Sequence, residues 1–200
     1  MTAIVLDQVD EKKRRFLIVA TTAAGAVAAG GVAVPFLGSW FPSARALAAG
    51  APVEVDISKI EPGQQITVEW RGKPVWVLRR TPEMLAQLEK NDAFLADPQS
   101  TSAKQPDYVK GAARAIKPEV LVVLGVCTHL GCSPTLKKQV GAASDMGADW
   151  PGGYYCPCHN SRFDLSARVF KGAPAPTNLE IPPHRYVSDA TIVVGENPKG

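Results

Sequence analysis

A mostly β fold behind a single membrane-crossing helix is what this sequence predicts, on three observations. From Phe16 to Ala44 the chain carries no charge. Beyond Pro52, short stretches rich in β-branched and aromatic residues alternate with Gly and Pro turns, the signature of short strands. All 4 cysteines and two of the 3 histidines fall in two short stretches, C-T-H-L-G-C at 127–132 and C-P-C-H at 156–159. With 200 residues, 46% of them apolar, the chain has room for one domain of about 150 residues plus an anchor. A net charge of +3, with no basic cluster in the body of the chain, excludes a nucleic-acid partner.

Taken in order, residues 1–15 form a polar tail ending in E-K-K-R-R. Residues 16–41 are the anchor: a bilayer core needs about 20 mostly apolar residues, and Gly25, Gly30, Gly31 and Pro35 weaken such a helix without forbidding it. A cleaved export signal is the competing reading, with Ala46-Leu47-Ala48 as its site, but the apolar run exceeds the usual signal core of about 7 to 15 residues. Lys12, Lys13, Arg14 and Arg15 place the N-terminus on the cytoplasmic side, and the head on the periplasmic side of a bacterial inner membrane. The basic pair before Phe16-Leu17 resembles a twin-arginine export signal, one residue out of step with the usual spacing. Residues 42–52, bracketed by prolines and built of small residues, read as a weakly structured linker.

V-E-V-D-I (53–57), Q-I-T-V-E-W (65–70) and P-V-W-V-L-R-R (74–80) read as antiparallel strands separated by turns at Pro62-Gly63 and Arg71-Gly72-Lys73. Thr81 before Pro82 and Glu83 reads as the cap of a short helix reaching about Lys90, and residues 91–115 as a loop excursion. The apolar run 119–126 fits a buried strand delivering Cys127 to a sheet end. Trp150 to Tyr155 turns and rises into Cys156, and the pieces 162–164 and 168–170 flank a further turn. L-E-I and A-T-I-V-V-G close the chain as strands, returning to the sheet begun at Val53. Trp70 and Trp76 are expected in the core, and His184, in P-P-H-R, as a packed or surface histidine.

Each cysteine-rich stretch offers a Cys and a His close enough for one tight loop, Cys127 with His129 and Cys156 with His159, plus one further thiol, Cys132 or Cys158. Two such loops facing each other can hold one buried metal centre. Zinc accepts the same donors, but zinc pairs are usually Cys with Cys and His with His. Disulfides alone would leave both histidines unexplained.

In these residues the chain resembles the Rieske iron–sulfur proteins. The resemblance implies an antiparallel β head, residues 53–200, with a small cluster-binding subdomain at about 119–176, and residues 42–52 as the hinge on which it swings. It implies one two-iron two-sulfur cluster, with Cys127 and Cys156 on the inner iron, His129 and His159 on the outer iron, and a disulfide between Cys132 and Cys158. The first loop matches the family in full. The second usually reads C-P-C-H-G-S-x-Y-D, whereas here Asn160 stands for Gly and Phe163 for Tyr, with Ser161 and Asp164 matching. These departures bear on the loop backbone and the cluster potential and leave the ligand set untouched.

By the same resemblance Ser161 reaches a bridging sulfide, the missing tyrosine hydroxyl would have addressed Cys127, and His159 meets the quinol. Leu130 and Pro174 are expected to cover the cluster or simply to pack. The function implied is that of the iron–sulfur subunit of a quinol–cytochrome c oxidoreductase, an electron-transfer enzyme of the respiratory chain. Such a subunit takes an electron from quinol at cytochrome b, coupled to proton release, and passes it to a membrane-bound c-type cytochrome within a proton-translocating, homodimeric complex. Soluble Rieske ferredoxins and oxygenase components form the competing class, and the anchor and the two spare cysteines speak against it. A tethered, non-redox zinc module is the third reading.

Overall fold

The structure, a computed structural model, describes residues 10–109 and 111–198. Most of the expected polar tail, residues 1–9, lies outside the described residues. The chain divides between Leu47 and Ala48 into two compact units.

The first unit is built on α1 (Glu11–Gly38), a helix long and apolar enough to cross a membrane. It starts within the polar tail, five residues before the apolar run, because the carboxylate of Asp10 caps it by accepting from the amides of Lys12 and Lys13 at 3.0 and 3.2 Å. At about 1.5 Å per residue its 28 residues exceed a hydrocarbon core of about 30 Å, so the basic first turns can reach past the core. The expected unstructured linker holds a short helix instead, α2 (Ala44–Ala49). Ser43 starts it, its hydroxyl accepting from the amide of Ala46 at 3.2 Å, and alanine carries it.

The second unit consists of three antiparallel sheets of three strands each. One joins β1 (Val53–Asp56), β9 (Thr191–Val194) and β8 (His184–Ser188) in that order, with Val53 opposite Val194. The middle sheet joins β2 (Gln65–Trp70), β3 (Lys73–Arg79) and β4 (Val120–Leu124). The third joins β5 (Thr135–Lys137), β6 (Gly153–Cys156) and β7 (Ser161–Phe163). Thr81 caps α3 (Pro82–Leu88) as its sequence predicts, and a 3-10 turn carries the chain on from Glu89 to Phe94.

Burial explains the sequence pattern of the middle sheet. Val75, Val77, Val120, Val122 and Leu124 face a core shared with Val55, Ile57, Trp70, Ile192 and Val194. Their neighbours Trp76, Leu78, Leu121 and Val123 face a second core that contains Cys127, Tyr154, Cys156 and Phe163. A strand covered on both faces needs no polar alternation, which is why 119–126 reads as a continuous apolar run. Trp76 stacks on Tyr154, with ring centroids 5.0 Å apart, and ties the middle sheet to the third. Trp70 and Trp76 are both core residues.

The expected strand at Leu179–Ile181 does not form. Scattered single backbone bonds hold it, Leu179 N–H to Ala167, Leu124 N–H to Glu180 and Ile181 N–H to Lys104, and Pro182-Pro183 lack the donors a ladder requires. Strand β8 follows the prolines instead, and β5 is a second strand the sequence reading did not anticipate. His184 on β8 is buried, with its Nδ1 donating to the carbonyl of Pro182 at 2.9 Å. Burial holds its pKa below the ordinary value, so the folded chain keeps it neutral while the unfolded chain takes up a proton below about pH 6.5. Stability contributed this way is present above that pH and is lost as pH falls toward the folded value. Denaturant titrations of the solubilised protein at pH 7 and pH 5.5 should show less acid destabilisation in His184→Gln than in the wild type.

Candidate metal centre

Strand β4 points the chain at Cys127, and the hairpin of β6 and β7 sets Cys156 opposite Ser161. The two loops that follow these cysteines close in the same way. Gly131 N–H donates to the carbonyl of Cys127 and Asn160 N–H to that of Cys156, both at 3.0 Å and both four residues along. Each closing residue has left-handed backbone, φ 85° at Gly131 and 62° at Asn160. Asn is among the few non-glycine residues that tolerate this region, so its presence where the family usually has Gly leaves the loop path intact. Its side chain adds a contact that Gly could not make, accepting a hydrogen bond from the hydroxyl of Tyr155.

Cys132 and Cys158 are joined by a disulfide that fastens one loop to the other. The sulfur atoms of Cys132, Cys156 and Cys158 lie within 4.8 Å of one another, but only Cys156 among these keeps a free thiol. Cys127 is the other free thiol, and both are buried. Burial pushes the Cys127 thiol up, with the adjacent Cys156 adding to the effect, while the hydroxyl of Ser161 against the sulfur opposes it. Ser161 is itself buried, and its Oγ accepts from the amide of Ala175 at 3.0 Å. The proline-rich segment 172–176 is thereby fixed to the second loop. The hydroxyl of Thr128, in the middle of the first motif, fixes the first loop to the same region by donating to Thr177 O at 2.7 Å.

The histidines lie outward of the thiols. Rings of His129 and His159 meet edge to face with centroids 4.7 Å apart. His159 is exposed, while His129 is half-buried and its Nδ1 is buried without a hydrogen-bond partner among the described residues. An orphaned imidazole nitrogen beside two buried thiols is a donor set lacking its acceptor, and a metal group would satisfy it. The site therefore fits such a group, with two thiols inside and two imidazoles toward solvent. Phe163 is fully buried in the core that holds Cys127 and Cys156. Leu130 is 72% exposed and Pro174 is also on the surface, which removes plain core packing as the role of either.

The disulfide supports a second outcome. Cys132→Ser should cost about 2 to 5 kcal/mol of stability and leave any bound group labile, while the ligands themselves remain. Thermal melts and bound-iron retention during dialysis would show it. Unchanged values for both would mean that the clasp carries no load.

Known proteins give this geometry its context. A family model described as the Rieske [2Fe-2S] domain matches residues 52–183, and one described as the ubiquitinol-cytochrome C reductase Fe-S subunit TAT signal matches residues 7–43. The ubiquinol-cytochrome c reductase iron-sulfur subunit of Allochromatium vinosum is 60% identical over 189 residues, covering 94% of this chain and 91% of that protein. Its counterpart in Blastochloris viridis is 43% identical, covering 94% of this chain and 96% of its own length. A chain of the solved hyperthermophilic respiratory Complex III aligns with 87% of this chain and 97% of its own, at 24% identity and a TM-score of 0.46.

Proposed function

Because this chain belongs to the Rieske [2Fe-2S] family, and within it to the iron–sulfur subunits of ubiquinol–cytochrome c reductase, we propose that it accepts electrons from a quinol and passes them to a c-type cytochrome. The observation that carries this reading is the layered donor set, with buried Cys127 and Cys156 beneath the paired rings of His129 and His159. In it Cys127, His129, Cys156 and His159 would hold a two-iron two-sulfur cluster. When bound, that group supplies a one-electron acceptor.

The chain's own residues do the rest. His159, exposed at the surface, offers its free ring nitrogen to the quinol hydroxyl, orients it by accepting a hydrogen bond, and takes its proton. Leu130, next to His129 in the chain, and Pro174 are both exposed, and in this reading they cover the cluster. The core around Cys127, Cys156 and Phe163 keeps the inner side dry, so charges there interact strongly. The disulfide and the two matched backbone closures hold both loops rigid, which keeps reorganisation during electron transfer small.

Helix α1 anchors the protein in a membrane. The basic residues Lys12 to Arg15 support a cytoplasmic N-terminus and a periplasmic head. Residues 42–52 then serve as the tether that lets the head, residues 53–200 with its cluster-binding part at about 119–176, visit cytochrome b and the c-type cytochrome in turn. The family membership further supports a homodimeric parent complex.

Iron, acid-labile sulfide and zinc analysis with electron paramagnetic resonance on the purified protein tests the reading. Two irons and two sulfides per chain are expected. One zinc with no sulfide would leave a structural metal module instead.

Phe163 supplies a graded outcome. Its buried ring has no donor to offer the Cys127 sulfur, and donors aimed at cluster sulfurs favour the reduced state. A hydrogen bond to a charged group is worth roughly 1.5 to 3 kcal/mol, and if about 1 kcal/mol differs between redox states the potential moves on the order of 40 mV. Phe163→Tyr should therefore raise the potential in voltammetry. A lowered or unchanged potential would show that position 163 does not address Cys127.

A further inference from the structure

Three arginines, Arg80, Arg114 and Arg168, are buried together, and among the described residues Asp164 is the one fully buried carboxylate. Arg168 holds that carboxylate through Nε and Nη2 at 2.9 and 2.8 Å, and reaches the partly exposed Asp92 at 2.7 Å. The other two guanidiniums donate only to neutral acceptors. Arg80 addresses Pro118 O, Ala113 O, Leu165 O and the hydroxyl of Ser166. Arg114 addresses Gln105 Oε1, Ser166 O, Ala167 O and Leu179 O. Burial lowers both to about 10, which leaves them charged at neutral pH. Asp164 is pushed up by burial, but Arg168 and the amides of Ser166 and Arg168, at 2.9 and 2.8 Å, favour its ionised form.

This arrangement is costly as mere scaffolding. A buried charge without a counter-charge destabilises, and apolar replacements of buried ion networks are often neutral or stabilising. Two of the residues involved, Arg114 and Ala167, also sit in left-handed backbone at φ 47° and 59°. The network is joined to the candidate metal centre through one packed core. Leu165 and Ala167, whose carbonyls accept from Arg80 and Arg114, share one packed core with Cys127 and Cys156. Asp164 is three residues beyond Ser161, the strand partner of Cys156, a reach of about 10 Å along the chain.

We propose that the surplus positive charge of Arg80, Arg114 and Arg168 over Asp164 and Asp92 tunes the centre between the two loops, favouring its reduced state. An electron arriving there adds negative charge, and a nearby guanidinium shielded from water and salt stabilises it. The proposal rests on the cluster reading given above. These arginines are positioning and tuning residues: they touch neither the ligands nor the quinol.

The test is a redox titration of the full-length, detergent-solubilised protein, followed by the resonance signal of the reduced cluster. Arg114→Gln should weaken electron acceptance severalfold, whereas Arg114→Lys should restore most of it. Asp164→Asn should shift the potential the opposite way. Molar salt should not erase either shift. Arg80→Gln against Arg80→Lys repeats the comparison should Arg114→Gln lose its cluster. Loosening of the fold would move the charge-removing and charge-keeping variants alike, or both signs in one direction, and either result overturns the proposal. A wild-type protein without the signal would instead overturn the cluster reading itself.

Discussion

His159→Ala should lose both cluster and quinol oxidation while the fold survives. The side chain is exposed, so removing it creates no cavity, and surface substitutions of this kind usually change stability by less than about 0.5 kcal/mol. A ligand, by contrast, cannot be spared, because the outer iron would be left with His129 alone. Iron content, the reduced-state resonance spectrum and quinol–cytochrome c turnover should therefore all fall to background, while circular dichroism of the metal-free protein matches the metal-free wild type. A variant that keeps a native spectrum would remove His159 from the ligand set. A variant that keeps the spectrum and loses turnover would limit it to contact with the quinol.

Gly153→Ala should abolish the folded head altogether. Strand β6 starts at Gly153, directly opposite Lys137 and two residues before Tyr155. A Cβ there would lie 2.0 Å from the carbonyl oxygen of Phe163 and 3.0 Å from Cα of Asp164, both backbone atoms, with φ at 154°. A flexible side chain could yield to such a methyl, but the hairpin that carries Cys156 and Ser161 cannot part without giving up its ladder. Overpacking alone costs about 1 to 3 kcal/mol, and separating the strands adds the burial of Tyr154 and Phe163, at roughly 1.5 to 3 kcal/mol each. That sum approaches the whole stability of a domain, about 5 to 15 kcal/mol. Expression as insoluble protein, or a melt without a cooperative transition, would meet the expectation. A soluble variant melting within a few degrees of wild type would show that the strands can shift.

The candidate site was legible because its chemistry is local. Cys127, His129 and Cys132 lie within six positions, as do Cys156, Cys158 and His159 within four, so the candidate donors stand out as two clusters, while their division into ligands and disulfide is what the family resemblance implies. Strands β1 to β4 were legible for a related reason, since hydrophobic period and turn residues are also local. Strand β8 was missed because Pro182 and Pro183 read as a break, although His184 resumes pairing immediately after them. The arginine network lay beyond the sequence altogether. Arg80, Arg114 and Arg168 look like ordinary surface charges in R-R-T-P, A-A-R-A and S-A-R-V, and only the packing of segments 105, 113–118, 164–168 and 179 around them reveals their burial. Asn160 stood between these cases. Its departure from Gly was visible, while its partner Tyr155 was supplied by the hairpin register.

The matched closures of the two loops carry a consequence for local opening. Amide protons exchange with solvent only when their hydrogen bonds break, and the amides of Gly131 and Asn160 each depend on one bond to a cysteine carbonyl. The disulfide attaches one residue after the first of these amides and two residues before the second. Either loop therefore pulls on the other as it frays, and the pair opens as one cooperative unit whose free energy exceeds that of a free surface turn. Cutting that link would divide the unit, giving each amide its own, faster clock.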